Sequence, residues 1–179
     1  MSPSSTPSLS LLHVLFVCTG NICRSPTAEA VLRAKLEQAG LGEQVVVDSA
    51  GTTDYHAGCS PDDRSRTHAA RRGYDLSSLQ ARQVTLDDFR RCDFILAMDG
   101  RNMEWLRKEC PPDMQERLSL LVQYARCTHS GIVPDPYYGG AQGFEQVLDL
   151  LEDACEGLVE EIRRRLRHAV QELPESNPD

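Results

Sequence analysis

Cys18 and Arg24 stand six positions apart, separated by Thr19-Gly20-Asn21-Ile22-Cys23 and followed by Ser25-Pro26. A thiol and a guanidinium at that spacing have a joint use if the chain between them is a loop. Successive backbone N–H groups converge on an anion, and the N-terminus of a following helix adds its dipole. The guanidinium presents a planar fork that matches two phosphate oxygens. The same positive field favours the thiolate, which is the nucleophilic form of cysteine. Thr19, Gly20, Asn21, Ile22, Cys23 and Arg24 therefore read as a phosphate cradle with Cys18 at its floor. Gly20 permits close backbone approach, and Asn21 is one of the few non-glycine types that tolerate a left-handed conformation. For a bare cysteine–arginine pair at this spacing, a core thiol beside a solvated arginine is the better reading, because chance matches are common.

The flanking residues reverse that preference. Leu11–Cys18 (LLHVLFVC) is a nearly continuous apolar run of strand length, as in a parallel strand covered on both faces. Ser25-Pro26 suits an N-cap with proline in the first helical turn. Ala28, Val31, Leu32 and Leu36 carry that helix to a stop at Gly40. The alternation continues with a strand at Val45–Ser49 and a helix from Pro61 to Arg72, ending at Gly73. Thr85-x-x-Asp88 resembles a capping box with Asp in place of Glu or Gln, opening a short helical piece. A strand at Phe94–Met98, a helix from Asp99 or Gly100 to Lys108 and a weaker strand at Ser119–Val122 follow. A loop from Arg126 to Gly143 precedes the clearest helix, where Phe144, Val147, Leu148, Leu151, Cys155, Leu158, Ile162 and Leu166 share one face. Strand and helix in turn predict an α/β fold with a parallel sheet.

A phosphate cradle offers no proton to a leaving group, so a carboxyl is needed from elsewhere. Asp135 lies between Pro134 and Pro136, and a residue before proline is biased toward extended backbone. A stiff loop of that kind can position an acid. A turn-forming aspartate is an equal alternative on these grounds. Tyr55 and Tyr137 are candidate walls for an aromatic substrate and Tyr138 is a third, with loop stabilisation the alternative. Asp99 follows a strand and opens a helix, which favours an N-cap over an active-site role and leaves a supporting role open.

Composition narrows the function classes. A chain of 179 residues is one ordinary domain, placed at residues 9–171 between polar arms at 1–8 and 172–179 that are expected to be disordered. A net charge of −8 argues against a nucleic-acid or anionic-membrane binder. No apolar run approaches the roughly 20 residues of a membrane span. Leu9–Val17 is a poor signal peptide, because Ser10 and His13 interrupt it and no basic residue precedes it. Seven cysteines without a CxxC pair fit reduced thiols in a cytoplasmic protein. Cys59, Cys92, Cys110, Cys127 and Cys155 lack metal-ligand spacing, and no nucleotide-binding fingerprint is present, so neither a metal nor an organic cofactor is expected.

Val17–Pro26 (VCTGNICRSP) resembles the active-site loop of the low-molecular-weight protein tyrosine phosphatases. Asp48–Thr52 (DSAGT), the stretch from Ala81-Arg82-Gln83-Val84-Thr85 through Ala97-Met98-Asp99, and Pro134–Gly139 (PDPYYG) agree with that family in order. The resemblance covers His13 to Arg167. It implies a doubly wound, four-stranded parallel sheet with helices on both faces and the phosphate-binding loop after the first strand. It also implies Cys18 as nucleophile, Arg24 as phosphoryl ligand, Ser25 as hydrogen-bond donor to the thiolate and Asp135 as general acid and base. Asn21 and Ser49 would hold the loop in shape. The implied substrates are phosphotyrosine-containing proteins or small aryl phosphates, with inhibition by phosphate and vanadate. The implied state is a monomer. From spacing alone Cys23 is equally a packing residue or a redox partner of Cys18, and the resemblance favours the redox role.

Two positions depart from the family. Leu79 stands where relatives often carry a histidine beneath the loop, with His56 and His68 the candidates to replace it, each read as a surface histidine. Tyr55 stands where some carry tryptophan. Three competing functions share these features. An arsenate reductase needs two further clustered cysteines, yet only Cys92 lies between Cys59 and Cys110. Phosphoarginine phosphatases tend to carry threonine at the position of Ile22. A silent phosphopeptide-binding module would have lost Cys18 or Asp135. Arg64, Arg66, Arg71 and Arg72 are candidates for a basic rim despite the acidic balance.

Overall fold

The computed structural model describes residues 11–172; the expected arm at 1–8 and the expected tail after Glu172 lie outside them. Four strands, β1 (Leu12–Cys18), β2 (Val45–Gly51), β3 (Phe94–Ala97) and β4 (Leu118–Leu120), form one sheet in the order β2-β1-β3-β4. All pairings are parallel, with Leu12 opposite Val45, Val14 opposite Phe94 and Ile95 opposite Leu118. Five α-helices accompany them: α1 (Arg24–Gln38), α2 (Asp63–Arg71), α3 (Leu86–Arg91), α4 (Gly100–Glu109) and α5 (Ala141–Gln171).

β1 is central because its residues from Val14 onward are apolar on both faces. Side chains alternate across a strand, so β1 feeds two cores. Val14, Phe16 and Cys18 pack with α1, α2 and α5, while Leu15 and Val17 pack with α3 and α4. The expected doubly wound sheet is therefore present. The chain leaves β1 for β2 on one side and returns to β3 on the other. That reversal opens a crevice at the carboxyl end of β1.

Several boundaries moved, each for a local reason. The N-cap of α1 is Cys23, without a side-chain cap, because the Ser25 hydroxyl is used elsewhere. α2 starts at Asp63 rather than Pro61, since the Asp62 carboxylate accepts the Arg64 N–H as a cap. The capping box of α3 is complete: the Thr85 hydroxyl accepts the Asp88 N–H and the Asp88 carboxylate accepts the Thr85 N–H. β2 runs on to Gly51, whereas β4 covers Leu118–Leu120 and gives way to a 3-10 turn at Leu121–Tyr124. β2 is an edge strand, and Arg33 of α1 donates to its Val47 carbonyl at 2.7 Å. All seven cysteines are free thiols.

α5 begins one turn earlier than expected, and its anticipated stripe is buried except for half-buried Leu166. Gly157 lies where α5 crosses the 3-10 turn: a Cβ there would overlap the Tyr124 carbonyl oxygen and sit 3.0 Å from its carbon. Helix propensity alone makes Gly→Ala stabilising by about 1 kcal/mol. Backbone contact reverses the sign, so Gly157→Ala is expected to lower the denaturation midpoint in urea. A raised midpoint would mean that the turn yields freely.

Candidate active site

Between the end of β1 and the start of α1, Asn21 takes a left-handed backbone, φ 55°, the one non-glycine residue to do so among those described. Three hydrogen bonds hold it there. Its amide donates to the hydroxyls of Ser25 (2.8 Å) and Ser49 (3.0 Å), and its carbonyl oxygen accepts the Arg82 N–H (3.0 Å). The loop carbonyls are taken from outside: Cys18 by Thr52 N–H, Thr19 by Thr53 N–H, Ile22 by Asp62 N–H and Cys23 by the Thr27 hydroxyl. The C=O and N–H across a trans peptide point oppositely, so the N–H groups of Thr19, Gly20, Cys23 and Arg24 turn away from those outside partners.

Cys18 Sγ lies 3.0 Å from Ser25 Oγ. Ser25 Oγ accepts from Asn21, and its single proton can go to the sulfur or, at 3.4 Å, to the Ala50 carbonyl. Arg24 is 2% exposed and its Nη1 donates to Asp99 Oδ2 (2.6 Å) and the Val133 carbonyl (3.1 Å). Burial would raise the Asp99 pKa, but the Arg24 hydrogen bond and the Asn102 N–H hold it below the usual carboxylate range. Asp135 Oδ2 stands 3.6 Å from Arg24 Nη2, and Asp135 Oδ1 accepts the Tyr137 N–H.

These groups meet at one cavity of about 430 Å³, lined by Cys18, Thr19, Gly20, Ile22, Cys23, Arg24, Thr53, Tyr55, His56, Asp135, Tyr137 and Tyr138. Asn21, Ser25 and Ser49 form the layer behind it, so the candidate nucleophile, cradle, acid, supporting and wall residues gather here. Tyr55 and Tyr138 are 84% and 93% exposed, leaving Tyr137 as the more embedded wall. Cys23 packs toward Thr27, Ser65, His68 and Phe144, and burial pushes its thiol up to about 12.

A sequence model described as low molecular weight phosphotyrosine protein phosphatase matches residues 13–168. The chain belongs to the low molecular weight phosphotyrosine protein phosphatase family. A low molecular weight protein-tyrosine-phosphatase of Streptomyces coelicolor is 44% identical over 157 residues, covering 86% of this chain and 95% of that relative. A crystal structure of a protein tyrosine phosphatase from Entamoeba histolytica superposes with a TM-score of 0.84 at 42% identity, covering 87% of this chain and 99% of that one. A Drosophila arginine phosphatase superposes with a TM-score of 0.77 at 30% identity, covering 84% and 97%.

Within this family scaffold, several supporting residues were not found from sequence. Ser49 donates to Glu29 (2.8 Å), whose carboxyl is pushed up by burial against the opposing pull of Arg33 and Ser49. Arg82 bridges Asp48 and Asp88 while its N–H holds Asn21. Asn102 donates to the Thr19 hydroxyl (3.1 Å). Asp99, by contrast, is both the expected cap of α4 and the partner of Arg24, the supporting role that the sequence left open for it. Neither histidine replaces the one lost at Leu79, which packs against the core. His56 is not a free surface residue but lines the cavity over Gly20. His68 is buried, because it stacks on Phe144 and hydrogen-bonds Glu145. The basic rim is largely neutralised: Arg64 pairs with Asp62, Arg66 with Asp63, and Arg72 with Glu145, Asp149 and Glu152.

Gly51, at the end of β2, supports the loop by having no side chain. A Cβ there would meet the Thr19 carbonyl oxygen at 2.6 Å and the Asn21 nitrogen at 3.2 Å. Gly51→Ala is expected to keep the fold by circular dichroism and to weaken orthophosphate binding by tenfold or more, about 1.4 kcal/mol. Calorimetric titration checks this, and unchanged affinity would show that the loop accommodates the methyl.

Proposed function

We propose that this chain hydrolyses phosphotyrosine in proteins, and small aryl phosphates, through a phosphocysteine intermediate. The observation that carries the reading is the convergence of the Cys18 thiol, the Arg24 guanidinium and the Asp135 carboxylate on one cavity at the carboxyl end of β1. Arg24 Nη1 is held by Asp99 and Val133, which aims the remaining edge of the fork at phosphoryl oxygens. The loop N–H groups and the N-terminus of α1 receive the other charge. Cys18 sulfur attacks phosphorus as the bond to the phenolic oxygen breaks, and Asp135 delivers its proton to that oxygen. Asp135 then takes a proton from water, whose oxygen attacks phosphorus. The sulfur leaves as a thiolate stabilised by the Ser25 hydroxyl. Phosphate and vanadate fit the same cradle and are expected to inhibit.

Tyr137, with Tyr55 and Tyr138 at the mouth, suits an aromatic leaving group. Ile22 in the lining favours phosphotyrosine over phosphoarginine, the substrate class that the arginine phosphatase neighbour raises. Cys92 and Cys110 are buried in the core beside α3 and α4, which is poor support for an arsenate reductase relay.

Cys18→Ser is expected to abolish turnover while orthophosphate still binds. Asp135→Asn is expected to cost about 10²–10⁴-fold with phenyl phosphate and much less with nitrophenyl phosphate, whose leaving group needs little protonation. Equal losses would remove Asp135 as the acid. Faster turnover of phosphoarginine than of aryl phosphates would transfer the chain to the arginine-directed branch.

Cys23 is proposed as the redox partner of Cys18. Peroxide converts the Cys18 thiolate to a sulfenic acid, and the Cys23 thiol condenses with it, forming a disulfide and releasing water. Its burial shields Cys23 from the oxidant while leaving it on the wall that Cys18 shares. After peroxide and then a thiol reductant, wild type is expected to regain activity and Cys23→Ser to recover poorly. Equal recovery, with no Cys18–Cys23 linked peptide, would leave Cys23 as packing alone.

A further inference from the structure

Asp135 sits in a stretch without helix or strand that runs from residue 125 to residue 140. Val133 anchors it on one side: its N–H donates to the Met98 carbonyl and its own carbonyl accepts from Arg24. Beyond Asp135 the hydrogen bonds are local, Tyr137 N–H to Asp135 and Gly139 N–H to the Pro136 carbonyl, with one exception. Arg64 Nη2 donates to the Tyr137 carbonyl at 2.9 Å. Among the described residues it is the hydrogen bond that ties residues 134–139 to an element outside their own loop.

Arg64 is itself held. The Asp62 carboxylate accepts from its Nε (3.1 Å) and Nη2 (3.0 Å), and Asp62 N–H donates to the Ile22 carbonyl of the phosphate loop (2.8 Å). The guanidinium carbon lies 5.4 Å from the Tyr137 ring centroid and 4.8 Å from that of Phe144 at the start of α5. One side chain thus links the cradle to the carboxyl-bearing loop, two residues past Asp135.

We propose that Arg64 is a positioning residue that holds the Asp135 loop in register with the phosphate loop. It touches no reacting atom. Its effect passes through Tyr137 to the carboxyl, where misplacement by about 1 Å is enough to cost ~10²-fold. A planar fork is required, because it must grip Asp62, a carbonyl and an aromatic face together, and a lysine ammonium has no such shape.

This rests on the proposed acid role of Asp135, so the experiment carries its own control. Arg64→Ala, Arg64→Lys, Asp135→Asn and the double variants are compared on phenyl and nitrophenyl phosphate. Orthophosphate inhibition and thermal midpoints are measured alongside. Both Arg64 variants are expected to lose about tenfold or more in kcat on phenyl phosphate and under about threefold on nitrophenyl phosphate, with phosphate inhibition unchanged. Adding either Arg64 change to Asp135→Asn is expected to cost nothing further, since the group being positioned is gone. Arg64→Lys serves as the test if the alanine variant fails to fold. Equal losses on both substrates, a loss that persists in the Asp135→Asn background, or an effect confined to KM would overturn the proposal. No leaving-group dependence in Asp135→Asn itself would instead overturn the acid reading, and this proposal with it.

Discussion

A guanidinium buried to 2% exposure is the constraint around which this molecule is arranged. An unpaired charge in that position would cost several kcal/mol, so the fold must deliver partners to it. Asp99 arrives from the end of β3, the Val133 carbonyl from the loop before α5, and Asp135 from the same loop at longer range. Two segments distant in sequence are thereby fastened to the first residue of α1. The pairing is incomplete by design of the geometry: one nitrogen is saturated, and the rest of the fork faces the cavity.

The second requirement is to hold a left-handed asparagine in a loop that carries no regular structure. Its three hydrogen bonds reach Ser25, Ser49 and the Arg82 backbone, and each partner is held in turn. Ser49 leans on Glu29, and Arg82 is locked between Asp48 and Asp88. Buried polar groups are tolerable when satisfied, and satisfied networks confer rigidity. The more firmly such a network holds the cradle's shape, the lower the ordering cost of binding.

The sheet and both cores were legible because they depend on local apolar periodicity, strongest in β1 and α5. In the cavity lining, Cys18 and Arg24 were legible from their spacing between an apolar strand and Ser-Pro, whereas Asp135 could equally form a turn and was singled out by the family resemblance. What escaped was whatever depends on long-range placement. His68 looks like any polar residue of a helix, and only the arrival of Phe144 and Glu145 buries it. Ser25 reads locally as a cap because serine before proline opens helices; the family resemblance alone pointed to the sulfur, which with Asn21 claims its hydroxyl. Glu29 offers no signal at all, since a glutamate in a helix is ordinary until the fold places Ser49 against it.

The hydrogen bond from Arg33 to the Val47 carbonyl has a consequence away from catalysis. β2 borders the sheet, and a row of unsatisfied peptide groups there is a template on which another chain can add a strand. Half-exposed Val46 would make such an addition sticky as well as geometrically possible. The arginine, ion-paired with Glu29, occupies an acceptor on that border and is supplied by the helix that precedes the strand. That border of the sheet is therefore blunted at one acceptor by a residue of its own crossover, while the cradle lies at the carboxyl end of β1.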